Sequence, residues 1–220
     1  ADGGIVLELP GRIYRLGERM RGFEAWLMDL AVRAEFAGAF MDKALEVQLP
    51  IIEAMLREVG DAVDIVYVRD SVGLQDKLAI SPSIYRSLVK PRQAKLFSFV
   101  RERTKATLAF HSCGAVAPLI GDFVEMGVEV LNPVQVSAQG MDPVWLKREF
   151  GDSLAFWGGV DSQRLLPFGT PDEIKREVRK LIDIMAPGGG FILGPTHSFM
   201  AEVPPQNICA LFEAASEMAS

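Results

Sequence analysis

Apolar residues fall along this chain in two alternating rhythms. Short runs read as buried strands: Ile5-Val6-Leu7-Glu8-Leu9, Ile65-Val66-Tyr67-Val68, Ala106-Thr107-Leu108-Ala109-Phe110, Val128 to Leu131, Leu154-Ala155-Phe156-Trp157 and Gly190-Phe191-Ile192-Leu193-Gly194. Between them apolar positions recur three and four apart, which predicts helices. These run from Arg12 to about Gly22, from Phe23 to Val32 and from about Phe36 to Val59, where Pro50 is expected to kink the last helix or split it. Ser81-Pro82-Ser83 opens another helix with a cap and a first-turn proline, continuing through Val100. Further helices are expected from about Val116 to Met126, from Asp142-Pro143 to Phe150, from Thr170-Pro171-Asp172-Glu173 to about Met185, and from Gln206 to Met218.

Strand and helix thus alternate about six times, which means parallel strands joined by right-handed helical crossovers. Two architectures satisfy this, a doubly wound sheet and a (β/α) barrel. The Gly-x-Gly-x-x-Gly fingerprint follows no strand, and Gly188-Gly189-Gly190 precedes one, where it reads as a helix stop. Polar residues gather instead after nearly every strand: Asp70, His111, Cys113, Asn132, Gln135, Asp161 and His197. A site assembled from many strand ends is what a barrel offers. The fold class is therefore α/β of the (β/α)8 TIM-barrel type, in one domain over residues 1–220.

Composition narrows the function classes. Hydrophobic residues make up 49% and charged residues 24%, a globular balance, and the formal charge of -6 gives a nucleic-acid partner no electrostatic support. No run approaches the roughly 18 apolar residues of a membrane span, and Ala1-Asp2-Gly3-Gly4 lacks the features of a signal peptide. A cytoplasmic protein with free thiols at Cys113 and Cys209 is expected. Cys209, in helical phase with Ile208 and Leu211, reads as a core thiol, and Trp26 and Trp145 read as core packing.

The chemistry centres on His111-Ser112-Cys113-Gly114, where a strand ends and a loop begins. The chain has only two histidines, and the second, His197, also follows an apolar run. Two strand-end histidines, one beside a cysteine, point to an active site; an ordinary loop pair is the alternative, because His-x-Cys without further ligands is a weak metal signature. Asp70 ends a strongly apolar strand and should face the open end, as a site residue or a turn cap. Asp161 follows Gly158-Gly159, which let the backbone approach a ligand closely. Asn132 and Gln135 hydrogen-bond a polar substrate or form a turn around Pro133.

His111-Ser112-Cys113-Gly114, Asn132-Pro133-Val134-Gln135, Trp157-Gly158-Gly159-Val160-Asp161 and Gly194-Pro195-Thr196-His197 with Pro204-Pro205-Gln206-Asn207 occur in order, and in them the chain resembles the uroporphyrinogen decarboxylase superfamily. The resemblance implies an eight-unit barrel of which this sequence is the C-terminal two thirds, without the first two strand–helix units. It implies two chemistries. One branch moves methyl groups between a corrinoid and a thiol or pterin, using zinc on a His-x-Cys pair and a later cysteine; here that cysteine falls at His197. The other decarboxylates uroporphyrinogen without metal, and it too has a histidine at this position. Its pocket tyrosine is replaced near Glu18 and its serine near Asp70, which weighs against decarboxylation.

The leading expectation is thus a zinc-dependent methyltransferase with His111, Cys113 and His197 as ligands and Glu18, Asp70 and Glu202 as fourth or replacement ligands. Asp70, His197 and Asp161 are its catalytic candidates, and Glu18, Asn132 and Gln135 its substrate contacts. The decarboxylase is the alternative, and an inactive or split barrel the third reading. The partners implied are a small-molecule substrate, a corrinoid (methylcobamide) protein, and a second copy or partner chain that completes the barrel.

Overall fold

β1 (Val6–Leu9) opens the first of two compact units, which runs to Val130; the second begins at Leu131. The computed structural model describes residues 3–218. In the first unit β1, β2 (Ile65–Arg69) and β3 (Thr107–His111) pair in parallel and in chain order, with Val6 opposite Ile65, Leu9 opposite Val68, and Arg69 opposite His111. The middle three residues of β2 and of β3 are buried, the continuous apolar reading of a strand covered on both faces.

The crossover from β1 to β2 carries α1 (Tyr14–Arg21), α2 (Phe23–Val32) and α3 (Ala34–Val59). Trp26 of α2 is fully buried, its ring 6.4 Å from that of Tyr14 and 5.3 Å from that of Phe40. The next crossover is helical in three phases. α4 (Pro82–Ile84) is capped by the Ser81 hydroxyl, Tyr85–Val89 widens into a π-helical turn, and α5 (Lys90–Arg101) completes it. Pro91 has no N–H to donate back along the helix, and a widened turn just before it relieves the clash of its ring. α6 (Ile120–Glu125) follows β3, and the rings of Phe97, Phe110, Phe123 and Tyr85 interlock edge to face at 5.0–6.2 Å to form this unit's core.

The second unit begins within β4 (Val130–Val134) and continues through α7 (Pro143–Phe150), β5 (Ala155–Val160), α8 (Leu165–Phe168), α9 (Pro171–Met185), β6 (Phe191–Pro195) and α10 (Pro205–Met218). Its strands again follow chain order, and β5 and β6 pair in parallel with Val160 opposite Pro195. A complete capping box between Thr170 and Glu173 starts α9, which buries Ile174, Val178, Leu181 and Met185 on one stripe. Neither unit reverses its strand order. The switch point of a doubly wound sheet is therefore absent from each, and the α/β alternation read from the sequence is the observed one. Among the described residues no helix is long and apolar enough to cross a membrane.

Expectations at two residues, Trp145 and Cys209, are corrected. Of the two outcomes expected at Pro50 the split does not occur: α3 runs unbroken through this exposed residue, where water can reach the carbonyl that loses its partner. Gly158 and Gly159 lie within β5 at φ 122° and 97°, and a Cβ on Gly159 would come within 2.5 Å of Leu181, so this glycine lets α9 pack on the strand. Trp145 is only half-buried, its ring against Phe150. Cys209 is exposed: α10 turns Asn207, Ala210, Leu211 and Ala214 inward, placing the thiol outside.

Asn207 is the polar member of that buried stripe. Its amide donates to the carbonyls of Leu166 at 2.8 Å and Gly169 at 2.9 Å, satisfying the C-terminal end of α8. Asn207→Ala leaves both carbonyls without this donor. It is expected to lower stability by about 2–3 kcal/mol, read as a reduced urea midpoint at unchanged slope.

Candidate active site

The C-terminal ends of β2 and β3 are laced together by their loops. The Asp70 amide donates to the His111 carbonyl at 3.1 Å, the Val72 amide to the Ser112 hydroxyl at 3.1 Å, and the Cys113 amide to the Ser71 hydroxyl at 3.2 Å. The Ala115 amide closes the series on the Leu74 carbonyl at 2.8 Å. Gly114, at φ 88°, is required here, since a Cβ would meet the Leu74 carbonyl oxygen at 2.5 Å. The glycine of His-Ser-Cys-Gly thus lets the two loops close on each other.

That lacing fixes His111 and Cys113. His111 Nε2 lies 3.1 Å from Cys113 Sγ, and Nδ1 lies 2.6 Å from the Tyr67 hydroxyl. Burial raises the Cys113 thiol above its ordinary value, against the opposing pull of Ser71, Arg69 and Arg15. Burial also pushes the Tyr67 phenol up to about 12, so it keeps its proton at neutral pH. Arg69 packs its guanidinium 5.2 Å from the Tyr67 ring centre, with Nε 3.3 Å from Glu8.

Asp70 is not at the open end. It is fully buried, and its carboxylate accepts from the amides of Tyr14 (3.0 Å) and Arg15 (2.8 Å) and from Gln93 Nε2 (2.9 Å), Gln93 being held in turn by the Tyr85 hydroxyl at 2.7 Å. The cause is local to α1. Ile13 at its N-cap has no side-chain acceptor, so the first amides of the helix are satisfied from β2. Burial pushes Asp70 up to about 6, against the amide donors that favour its charge. Glu18 is also buried on α1. One of its oxygens pairs with Arg15, and burial together with the neighbouring Glu18 carboxylate raises the Tyr14 phenol one turn earlier.

In the second unit Asn132 and Gln135 are buried at the end of β4, and Asn132 Nδ2 lies 3.4 Å from the Trp157 carbonyl. Asp161 accepts from the Gln163 amide at 2.9 Å, a local turn. Thr196 bonds Ser162 through the hydroxyls at 2.8 Å and so ties the loop after β5 to that after β6. His197 and Glu202 follow on that loop and are exposed. Among the described residues no group of three or more His, Cys, Asp or Glu side chains has metal-binding geometry. The structure brings together His111 and Cys113 in the first unit; His197 belongs to the second.

The donor pair itself suits zinc. Zn–N and Zn–S bonds of about 2.1 and 2.3 Å separate neighbouring tetrahedral ligands by roughly 3.6 Å, so a shift of about half an ångström converts the His111–Cys113 contact into two corners of a site. The sequence reading missed Tyr67, Ser71, Arg69 and Arg15. Tyr67 had a usable signal, because alternation along β2 puts it on the face of Arg69, which pairs with His111.

A model of the uroporphyrinogen decarboxylase (URO-D) family matches residues 13–218. Uroporphyrinogen decarboxylase of Geobacillus kaustophilus (strain HTA426) is 28% identical over 175 residues, 77% of this chain and 45% of that protein. That of Sodalis glossinidius (strain morsitans) is 36% identical over 59 residues, 27% of this chain and 16% of that protein. A solved methyltransferase from Methanosarcina mazei superposes on 100% of this chain and 60% of its own, with a TM-score of 0.76 and 25% identity. This chain spans about half the length, or less, of the curated relatives it matches.

The Asp70 linkage has a definite sign. A folded value near 6 lies above the unfolded value of about 3.9, so the folded state holds a proton that the unfolded state releases. The contribution of this group to stability is full below about pH 4 and falls as pH rises to about 6. Urea titrations of wild type and Asp70→Asn from pH 4 to 7 are expected to differ by an amount that shrinks across that window. A pH-independent difference contradicts the assignment.

Proposed function

The chain belongs to the uroporphyrinogen decarboxylase family, and on that footing we propose that it is a zinc-dependent methyltransferase, taking a methyl group from a corrinoid or small methylated donor to a thiol or pterin. The observation that carries this reading is the His111–Cys113 pair, an imidazole nitrogen and a thiol 3.1 Å apart at the end of β3. The likeness to the Methanosarcina mazei methyltransferase supports it. His111 and Cys113 would hold the metal. When bound, zinc keeps an acceptor thiol deprotonated near neutral pH.

The chain's residues position the rest. In the second unit Asn132 and Gln135, buried at the end of β4, would hydrogen-bond the polar body of the substrate. In the transfer, a sulfur–carbon bond forms as the donor's bond to methyl breaks. The bonding pair leaves with the corrinoid cobalt or the small leaving group, and the acceptor's proton passes to solvent. A separate corrinoid protein is the donor's carrier in this reading. Asp70 acts on none of these atoms; it sets the position of α1.

The names of the curated relatives favour a second reading, metal-free decarboxylation of uroporphyrinogen acetate groups with His197 at the substrate. Metal content separates the two. Protein purified without chelator is expected to carry about one zinc per chain by elemental analysis, and Cys113→Ser to lose it. No uptake even from added zinc overturns the methyltransferase reading, and coproporphyrinogen formed in an anaerobic assay establishes the other.

A further inference from the structure

We propose that Arg15 and Arg69 form an anion subsite beside the His111–Cys113 pair, where the carboxylate of a small substrate docks. The subsite rests on the reading of that pair as the reacting centre and adds the charge of the molecule that reaches it. The chain as a whole carries a formal charge of -6, yet the guanidinium groups of Arg12, Arg15 and Arg69 gather just after β1 and at the end of β2. Glu8 shares one oxygen between Arg12 at 3.5 Å and Arg69 at 3.3 Å, and Glu18 pairs with Arg15. Asp70, the third carboxylate nearby, is spent inward on the amides of Tyr14 and Arg15 and on Gln93. Two carboxylates thus answer three guanidinium groups.

Strand register directs Arg69 to the reacting pair. Glu8 lies opposite Tyr67 and Arg69 opposite His111, and side chains two apart along a strand share a face. The Arg69 guanidinium lies 5.2 Å from the Tyr67 ring centre, and the hydroxyl of that ring is 2.6 Å from His111 Nδ1. Arg15 comes from α1. Its amide is held by Asp70 at 2.8 Å, and the adjoining Ser71 hydroxyl accepts from the Cys113 amide at 3.2 Å. Both positive charges pull the thiol down against the effect of burial. Both side chains are nearly half exposed, so an anion arriving from solvent can reach them. A guanidinium is a planar fork of N–H donors that matches a carboxylate, and one ion pair does not exhaust it.

Alkylation of Cys113 in metal-free protein tests this, because iodoacetate and iodoacetamide differ in charge and hardly in size. With either reagent the thiolate sulfur bonds to the CH2 carbon, iodide leaves with the bonding pair, and the thiol proton passes to buffer. Cys209→Ser removes the exposed second thiol, so a single sulfur reacts. In this background iodoacetate is expected to react saturably, as a reagent that docks first, and iodoacetamide without saturation. Arg15→Gln and Arg69→Gln are each expected to lower the iodoacetate-to-iodoacetamide rate ratio about tenfold, the loss of a charge-assisted hydrogen bond. Arg15→Lys and Arg69→Lys keep the charge and are expected to restore part of it. A loosened loop alone changes both rates together and leaves the ratio where it was. Linear dependence on iodoacetate, with a ratio within twofold of the parent in both Gln variants, overturns the subsite. Should Arg69→Gln fail to fold, Arg15→Gln, on the exposed face of α1, decides. No metal takes part, so failure here leaves the zinc reading standing, and failure of zinc uptake leaves this measurement standing.

Discussion

The first unit depends on a carboxylate that has no contact with water. Asp70 stands where β2 ends, and its oxygens gather the first amides of α1 and the amide of Gln93 on α5. Three segments far apart in sequence therefore meet on one side chain. Burying a charge this deeply is unfavourable in itself, which is why the group titrates near 6, and the donors offset only part of that cost. The return is in geometry. Helix α1 starts on an apolar residue with no cap of its own, and without Asp70 its first amides face the interior unsatisfied. A buried ionic group retained for the position it enforces fits this arrangement better than one retained for net stability.

That constraint reaches the His111–Cys113 pair through the backbone. The Asp70 amide bonds the His111 carbonyl, and the next residues of the same loop hold Ser112 and Cys113. Whatever fixes Asp70 therefore fixes the frame on which imidazole and thiol sit. Arg15, whose amide caps onto Asp70, also brings a positive charge within reach of the thiol. One side chain thus couples the start of α1, the end of β2 and the loop after β3.

Much of this was readable from sequence, for reasons that differ by residue. The strands announced themselves because parallel strands are apolar on both faces, so Val66 to Val68 and Leu108 to Phe110 form unbroken runs. His111 and Cys113 were legible because two residues apart at a strand end is a local relation. Asp70 was placed wrongly because its partners, the amides of Tyr14 and Arg15, are 56 and 55 residues away, and no local pattern marks a backbone amide that lacks a cap. Cys209 failed for a different reason. Its neighbours Ile208 and Leu211 suggested an inward thiol, yet the helix phase is set by Asn207, whose amide must reach two carbonyls near α8. A buried polar anchor outranked a weak apolar preference.

The state of the Cys113 thiol bears on which chemistry suits the site. Burial raises it, so at neutral pH the isolated group is a protonated, weak nucleophile. A metal-free reaction gains little from such a thiol, and the decarboxylase reading assigns it no task. A soft divalent cation reverses the balance, since coordination removes the proton and neutralises the charge that burial penalises. The environment that makes Cys113 a poor nucleophile by itself is therefore compatible with a ligand. The His111 imidazole beside it places a second donor atom 3.1 Å from the sulfur. Between the two family chemistries, the one that uses a thiolate accounts for more of what surrounds this residue.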